Sequence, residues 1–252
     1  LPEPGCVRTL RKSGSGTADG GFSPPETVEL GYRTAGLSRV RVSSAFVPPN
    51  RAARNEAKRK LVSFLWMIYT ARDAEKMSSH SLVLRADRLG KPFLVLDGEE
   101  GPAVSFTYSP GRLWACMAPG LENIGIDVAS AEEFQNGYPY ERVFARNELT
   151  EGLVRDVGGR AEAAALLWSV KEAAVKALGC GFHLVSPHEV TVVPSGEQVP
   201  RRVFSAGLAD RARGRLGMEM RADMEIITHR RRGLWMSVAA SFEPMQGRAI
   251  SG

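Results

Sequence analysis

The sequence predicts an α+β fold of two similar α/β lobes placed side by side, built from antiparallel sheets and packed helices. Three observations predict it. Periodic signals run in the order helix, strands, helices, strands, which does not suit a doubly wound parallel sheet. Short apolar runs alternate with tight turns such as Asp97-Gly98 and Pro110-Gly111, as antiparallel hairpins do. Finally, Arg112-Leu113-Trp114-Ala115-Cys116-Met117-Ala118 is echoed by Gly233-Leu234-Trp235-Met236-Ser237-Val238-Ala239, in keeping with two related halves.

Residues 1–27 are rich in Gly, Ser and Pro and read as a flexible leader. An N-terminal lobe is expected over 28–122. Its helix, from Arg51 to about Lys76, presents Leu61, Phe64, Leu65 and Ile68 as an apolar face. Strands are expected at 82–84, 93–96, 104–107, 113–117 and 124–128. A C-terminal lobe over 123–242 starts with the last of these. Helical segments follow around 140–146 and 148–154, then a long helix from about Arg160 to Leu178, with Gly179 suited to its C-terminal cap. Strands return at 189–193, 218–228 and 234–242, and 243–252 form a tail.

The 252 residues are 43% hydrophobic and 24% charged, an ordinary globular composition. A net charge of +5 and a pI near 9.3 favour an acidic partner or a phosphate-rich ligand without choosing between them. The three cysteines are far apart, and the four histidines lack zinc-ligand spacing, so neither a disulfide framework nor a structural zinc site is expected. The longest apolar stretch, 61–69, is too short to span a bilayer, and no signal-peptide pattern opens the chain. No membrane association is expected, and cytoplasm is the expected compartment.

On the strand 124–129, Ile124, Ile126 and Val128 share one face, while Gly125, Asp127 and Ala129 share the other. Asp127 is thus a carboxylate held on a strand with an apolar back, and Gly125 permits close approach of a backbone or ligand. In the long helix Trp168, Glu172, Val175 and Lys176 fall at i, i+4, i+7 and i+8 and share a face, with Lys171 a quarter-turn from Glu172. A Glu172–Lys176 surface ion pair alone would contribute only a few tenths of a kcal/mol. Flanked by Trp168 and Val175, however, the pair lies at the edge of a buried seam. Two carboxylates with lysines nearby suit a magnesium–pyrophosphate site: magnesium takes one or two carboxylates, waters and phosphate oxygens, and lysines offset the remaining charge.

These blocks resemble the 4′-phosphopantetheinyl transferase superfamily. Gly125-Ile126-Asp127-Val128, followed by Trp168-Ser169-Val170-Lys171-Glu172 and Lys176, is similar to its two signatures. Gly90-Lys91-Pro92 resembles its GKP turn, and Ser105-Phe106-Thr107-Tyr108-Ser109 stands at its Ser-His-Ser segment. Phe144 to Glu148 and Gly179 to Phe182 are similar to two further elements, so the resemblance covers about residues 82–242 in order. It looks like the larger, two-lobed, monomeric (Sfp-like) class, with lobes related by a pseudo-two-fold. The resemblance implies transfer of the phosphopantetheine arm of coenzyme A to a serine of an acidic apo carrier protein, with release of 3′,5′-ADP. It also implies that Asp127 and Glu172 bind Mg2+ and that Lys171 and Lys176 contact phosphate. Lys91, Thr107 and Tyr108 would line the coenzyme A site. Glu172, directly or through water, would deprotonate the serine, and Lys176 would stabilise charge in the transfer.

Two positions depart from the family pattern. Ala129 stands where a second acidic residue is common, with Glu132 or Glu133 as conceivable substitutes. Tyr108 replaces a histidine that contacts the 3′-phosphate, and Arg112 is a candidate to compensate. Arg51, Arg54 and Lys58 are candidates for contacts to the adenine and ribose. A coenzyme A or carrier binder without transfer activity is the alternative reading. A nucleic-acid module is disfavoured because aromatic residues do not interleave the basic runs.

Overall fold

In a computed structural model, residues 26–31, 37–47, 50–70, 81–109, 111–121, 123–198, 201–217 and 224–241 are described. The first strands are β1 (Glu26–Gly31) and β2 (Leu37–Phe46). Helix α1 (Arg51–Thr70) follows, and then come β3 (Leu82–Ala86), β4 (Pro92–Leu96), β5 (Glu99–Glu100), β6 (Ala103–Ser109) and β7 (Arg112–Ala118). The second half contains β8 (Asn123–Ser130), α2 (Glu151–Val157), α3 (Arg160–Ala177), β9 (Val190–Gln198), β10 (Arg201–Leu208), α4 (Asp210–Leu216), β11 (Met224–Arg231) and β12 (Leu234–Ser241). All strand pairs are antiparallel, in sheets ordered β1-β2-β7-β6, β3-β4-β5 and β8-β12-β11-β10-β9. The expected mixed α+β architecture with antiparallel sheets is present.

Two-residue alternation puts each large sheet between two partners. On β7, Leu113, Ala115 and Met117 face α1 and bury Leu61 and Leu65, while Trp114 and Cys116 face the second sheet. There Val40 and Val42 meet Ile124, Ile126, Val128 and Val238 in a continuous apolar layer. Burying each such branched side chain contributes roughly 1.5–3 kcal/mol. The opposite face of the second sheet packs on α3, whose Ala-rich sequence lets helix and strand come close. Gly125 is the point of closest approach: a Cβ there would drive into the Ala173 carbonyl.

Several elements differ from expectation. Glu26 and Thr27 belong to β1 rather than to a leader, whose residues 1–25 lie outside the described residues. The alternation Val40-Arg41-Val42 marks β2, yet the Gly/Pro-rich stretch before it hides the hairpin. In place of the helix expected around 140–146 there is one 3-10 turn, Tyr140–Arg142, because Pro139 and the loop's side-chain bonds hold the chain irregular. Thr150 caps α2, which therefore begins at Glu151, with its side chain accepting from Leu153 N at 3.2 Å. The strand expected over 218–228 begins only at Met224, and 218–223 lie outside the described residues, as do 71–80 beyond the end of α1. Short β5, β10 and α4 were not expected. At the end of α3, Gly179 takes φ 72° as anticipated.

Candidate active site

The two large sheets meet along β6 and β8. Ser105 Oγ accepts the Ile126 N–H at 3.2 Å, a side-chain substitute for a ladder bond between halves of the chain. One step further, Thr107 Oγ1 donates to Asp127 Oδ1 at 2.7 Å. From the other side Lys176 on α3 reaches the same oxygen at 2.7 Å and the Ile126 carbonyl at 3.2 Å. Glu172, one helical turn earlier, places Oε2 3.4 Å from the Lys176 ammonium. Thus Asp127, Glu172, Lys176 and Thr107 come together, with Asp127 buried and Glu172 and Lys176 partly open to solvent.

Burial pushes the Glu172 carboxyl above the usual range; Lys176 opposes this and the Asp127 charge adds to it. Burial pulls the Lys176 ammonium downward, but Asp127 and Glu172 outweigh it and hold the group above the ordinary lysine value. A cation is therefore strongly favoured between these carboxylates. Both hydrogen bonds to Asp127 converge on Oδ1, leaving Oδ2 without a donor among the described residues.

Lys176 also lines a cleft of about 240 Å³ bounded by Lys58 of α1, Lys91, Phe106 of β6, the Gly179–Gly181 loop and His183. Lys91 donates from Nζ to Asn123 Oδ1 at the start of β8. The walls therefore bring three lysines, from three elements, around one space. Burial, then the charge of Arg54, pulls the Lys58 ammonium below its ordinary value, a deficit that an anion would relieve. Lys58 also stands 5.4 Å from the Phe106 ring centroid, and Arg54 lies 4.0 Å from that of Tyr108.

Residues 123–215, from the start of β8 through α4, match the model of the 4′-phosphopantetheinyl transferase superfamily. This segment is similar to that superfamily. No curated protein matches the chain. The matched segment contains Asp127, Glu172 and Lys176; Lys91, Thr107 and Tyr108 come from outside it.

Two of the candidate site residues sit elsewhere than expected. Lys171 is 0% exposed and points into the core, where Nζ donates to Glu148 Oε2 at 2.8 Å, to Pro187 O at 2.7 Å and to Val143 O at 3.4 Å. Its quarter-turn offset from Glu172 carries it off the Asp127 face, so it fastens two loops to α3 instead of facing the cleft. Glu148 completes the fastening by accepting the Ala145 N–H at 2.8 Å. Tyr108 shares the α1 face of β6 with Val104 and Phe106, opposite Thr107; its hydroxyl donates to Val47 O at 3.4 Å. The arginine beside it is Arg54, while Arg112 is bonded to Ser44.

Ala129 is buried against the helices of the second half. Of the two acidic residues in the following 3-10 turn, Ala131–Phe134, Glu133 feels the site. Burial raises its carboxyl, the Ser130 N–H it accepts opposes this, and the Asp127 charge adds to the rise. His183, which in the sequence reads only as one of four histidines without zinc-ligand spacing, lines the cleft.

Among the described residues, no three His, Cys, Asp or Glu side chains gather as a metal cage. A magnesium ion can take one or two carboxylates and complete its shell with phosphate oxygens and water. Asp127 with its open Oδ2 and Glu172 beside it fit such a role. No described helix is long and apolar enough to cross a membrane.

Proposed function

We propose that this protein transfers the 4′-phosphopantetheine arm of coenzyme A to a serine hydroxyl of an apo acyl or peptidyl carrier protein, releasing 3′,5′-ADP. The observation that carries this reading is the Asp127–Lys176–Glu172 cluster at the edge of a lysine-lined cleft, inside the superfamily segment. Coenzyme A offers three phosphate groups, and Lys58, Lys91 and Lys176 offer three cationic contacts for them. Mg2+ held by Asp127 and Glu172 would offset pyrophosphate charge and favour the departing phosphate.

In the transfer, the serine oxygen forms a bond to the phosphorus bearing pantetheine, and the bond from that phosphorus to the bridging oxygen of 3′,5′-ADP breaks. Glu172 accepts the serine proton, directly or through a water. Lys176 beside it opposes the upward push of burial on its carboxyl. Lys176 is a fixed positive charge against the equatorial oxygens as negative charge spreads over them. Thr107 orients Asp127 by occupying one lone pair of Oδ1. Because Thr107 and Ser105 join the matched segment from earlier in the same chain, one protomer can complete the site. That supports the larger, single-chain class and a monomer.

The test is to incubate the protein with coenzyme A, Mg2+ and an apo carrier, and to weigh the intact carrier. A gain of one phosphopantetheine is expected. Bound coenzyme A with no transfer to any of several carriers would replace the proposal with the binding-protein reading that Ala129 leaves open. A second expected result concerns Lys58→Ala: the KM for coenzyme A should rise about tenfold with little change in kcat, as for loss of one charge contact in a partly open cleft. An unchanged KM would remove Lys58 from the coenzyme site.

A further inference from the structure

Three hydroxyls lie in the seam between α3 and the second sheet. The positions beside them on the same strand faces are Ala129, Met224, Ile226, Trp235 and Ala239, all buried and apolar. Thr228, Ser237 and Asp127 pair across β11, β12 and β8 in one straight row, and Ser169 of α3 sits over Ser237. Ser237 Oγ lies 2.7 Å from both Ser169 Oγ and Thr228 Oγ1, and Ser169 Oγ donates to Leu166 O at 2.8 Å. All three residues are 0% exposed. A hydroxyl has one proton to give. Ser169 gives its proton to Leu166 O, so it accepts from Ser237, and Ser237 in turn accepts from Thr228. The donations run one way, from β11 across β12 into α3.

Elsewhere the seam offers the helix little to hold it in rotation. At Gly125 the sheet meets the bare backbone of α3 at Ala173 and Ala177. Alanine gives shallow ridges, which resist turning less than interdigitated large side chains do. A hydrogen bond does resist it, because it weakens steeply with small changes of distance and angle. Glu172 and Lys176 stand one and two turns beyond Ser169, on the same side of α3. A group about 5–6 Å from the helix axis moves by roughly 1 Å when the helix turns by about 10°. At a transfer centre a displacement of about 1 Å can cost about a hundredfold in rate. Apolar side chains of the same shape would fill the seam about as stably as a satisfied hydroxyl chain. What they lack is direction.

We propose that the Thr228–Ser237–Ser169 row is a positioning element of the transfer centre. It sets the rotation of α3 over β8 and β12, and with it the reach of Lys176 to Asp127 Oδ1 and of Glu172 to the Lys176 ammonium. The inference rests on the transfer reading above. Ser237 is the junction: its side chain holds α3, and its backbone pairs with Asp127. Both sides of the Asp127–Lys176 ion pair are thereby referred to one line across the sheet. A hydroxyl row that only filled the core would affect rate by way of stability alone. A positioning row affects rate at constant stability.

The test compares wild type with the triple variant Ser169→Ala/Thr228→Val/Ser237→Ala and with Thr228→Ser, by single-turnover transfer to an apo carrier with coenzyme A and Mg2+. The triple variant removes every hydroxyl together and strands none in the core, so its Tm should stay within about 3 °C of wild type. Its transfer rate should nonetheless fall about tenfold, since packing alone then limits the turn of the helix. Its coenzyme A Kd should stay within about threefold, because Lys58 and Lys91 are not on α3. Thr228→Ser keeps the chain of donors and loses one buried methyl, so Tm should fall by about 3 °C at an unchanged rate. An unchanged rate in the triple variant would overturn the positioning role and leave the transfer reading intact. So would a rate that follows Tm across the three proteins, or a triple variant too unstable to fold, since either marks the row as core packing alone. Wild type that binds coenzyme A but transfers to no carrier would overturn both.

Discussion

Asp127→Asn should lower phosphopantetheine transfer by about three orders of magnitude while leaving the fold in place. Asparagine has the same shape, and its Oδ1 can still accept from Thr107 and Lys176, so the link between β6, β8 and α3 persists. What disappears is the negative charge that offsets Lys176 and supplies the open Oδ2 to a divalent cation. Losing electrostatic stabilisation at a phosphoryl-transfer centre costs several kcal/mol of barrier, at 1.36 kcal/mol per tenfold. Initial rates by carrier mass spectrometry, with Tm and coenzyme A binding as controls, check this. Transfer within tenfold of wild type would remove Asp127 from the centre. Thr107→Val should lose far less, since it only frees one lone pair of a carboxylate that Lys176 still positions.

The sequence made the chemistry of β8 and α3 legible because both elements are periodic and both carry charges where an apolar stripe continues. Asp127 alternates with Ile126 and Val128, and Glu172 and Lys176 repeat at i, i+4 beside Val175. Even the role of Gly125 follows from its lack of a side chain, although only the structure identifies the approaching group as the backbone of α3. The direction of Lys171 was not legible. A quarter-turn decides whether a lysine beside Glu172 faces phosphate or core, and that depends on where Glu148 arrives from an irregular loop. Tyr108 is a similar case. Alternation already opposes it to Thr107, so the two could not both face Asp127, and register alone tells them apart.

The position of Lys171 makes the second large effect one of stability. Glu148→Ala should destabilise the protein by about 3–5 kcal/mol, because it strands a buried ammonium with only the Val143 and Pro187 carbonyls. For a chain of this size that is a drop of roughly 10 °C in Tm, read by thermal unfolding. Burial already pulls the Lys171 ammonium below its ordinary value against the opposing pull of Glu148. Without the carboxylate, the variant should shed that proton more readily and recover part of its stability as pH rises. The double variant Glu148→Gln/Lys171→Met removes both charges and should regain much of the loss, since an apolar side chain of similar volume suits a site with no solvent. This pair of proteins also separates the two roles considered for Lys171. A phosphate ligand would show as a raised KM for coenzyme A in the double variant even after stability is restored. A fastening residue predicts a KM close to wild type, because Lys176 and Lys91 keep their places in the cleft while the loops of Val143 and Pro187 are held by packing alone.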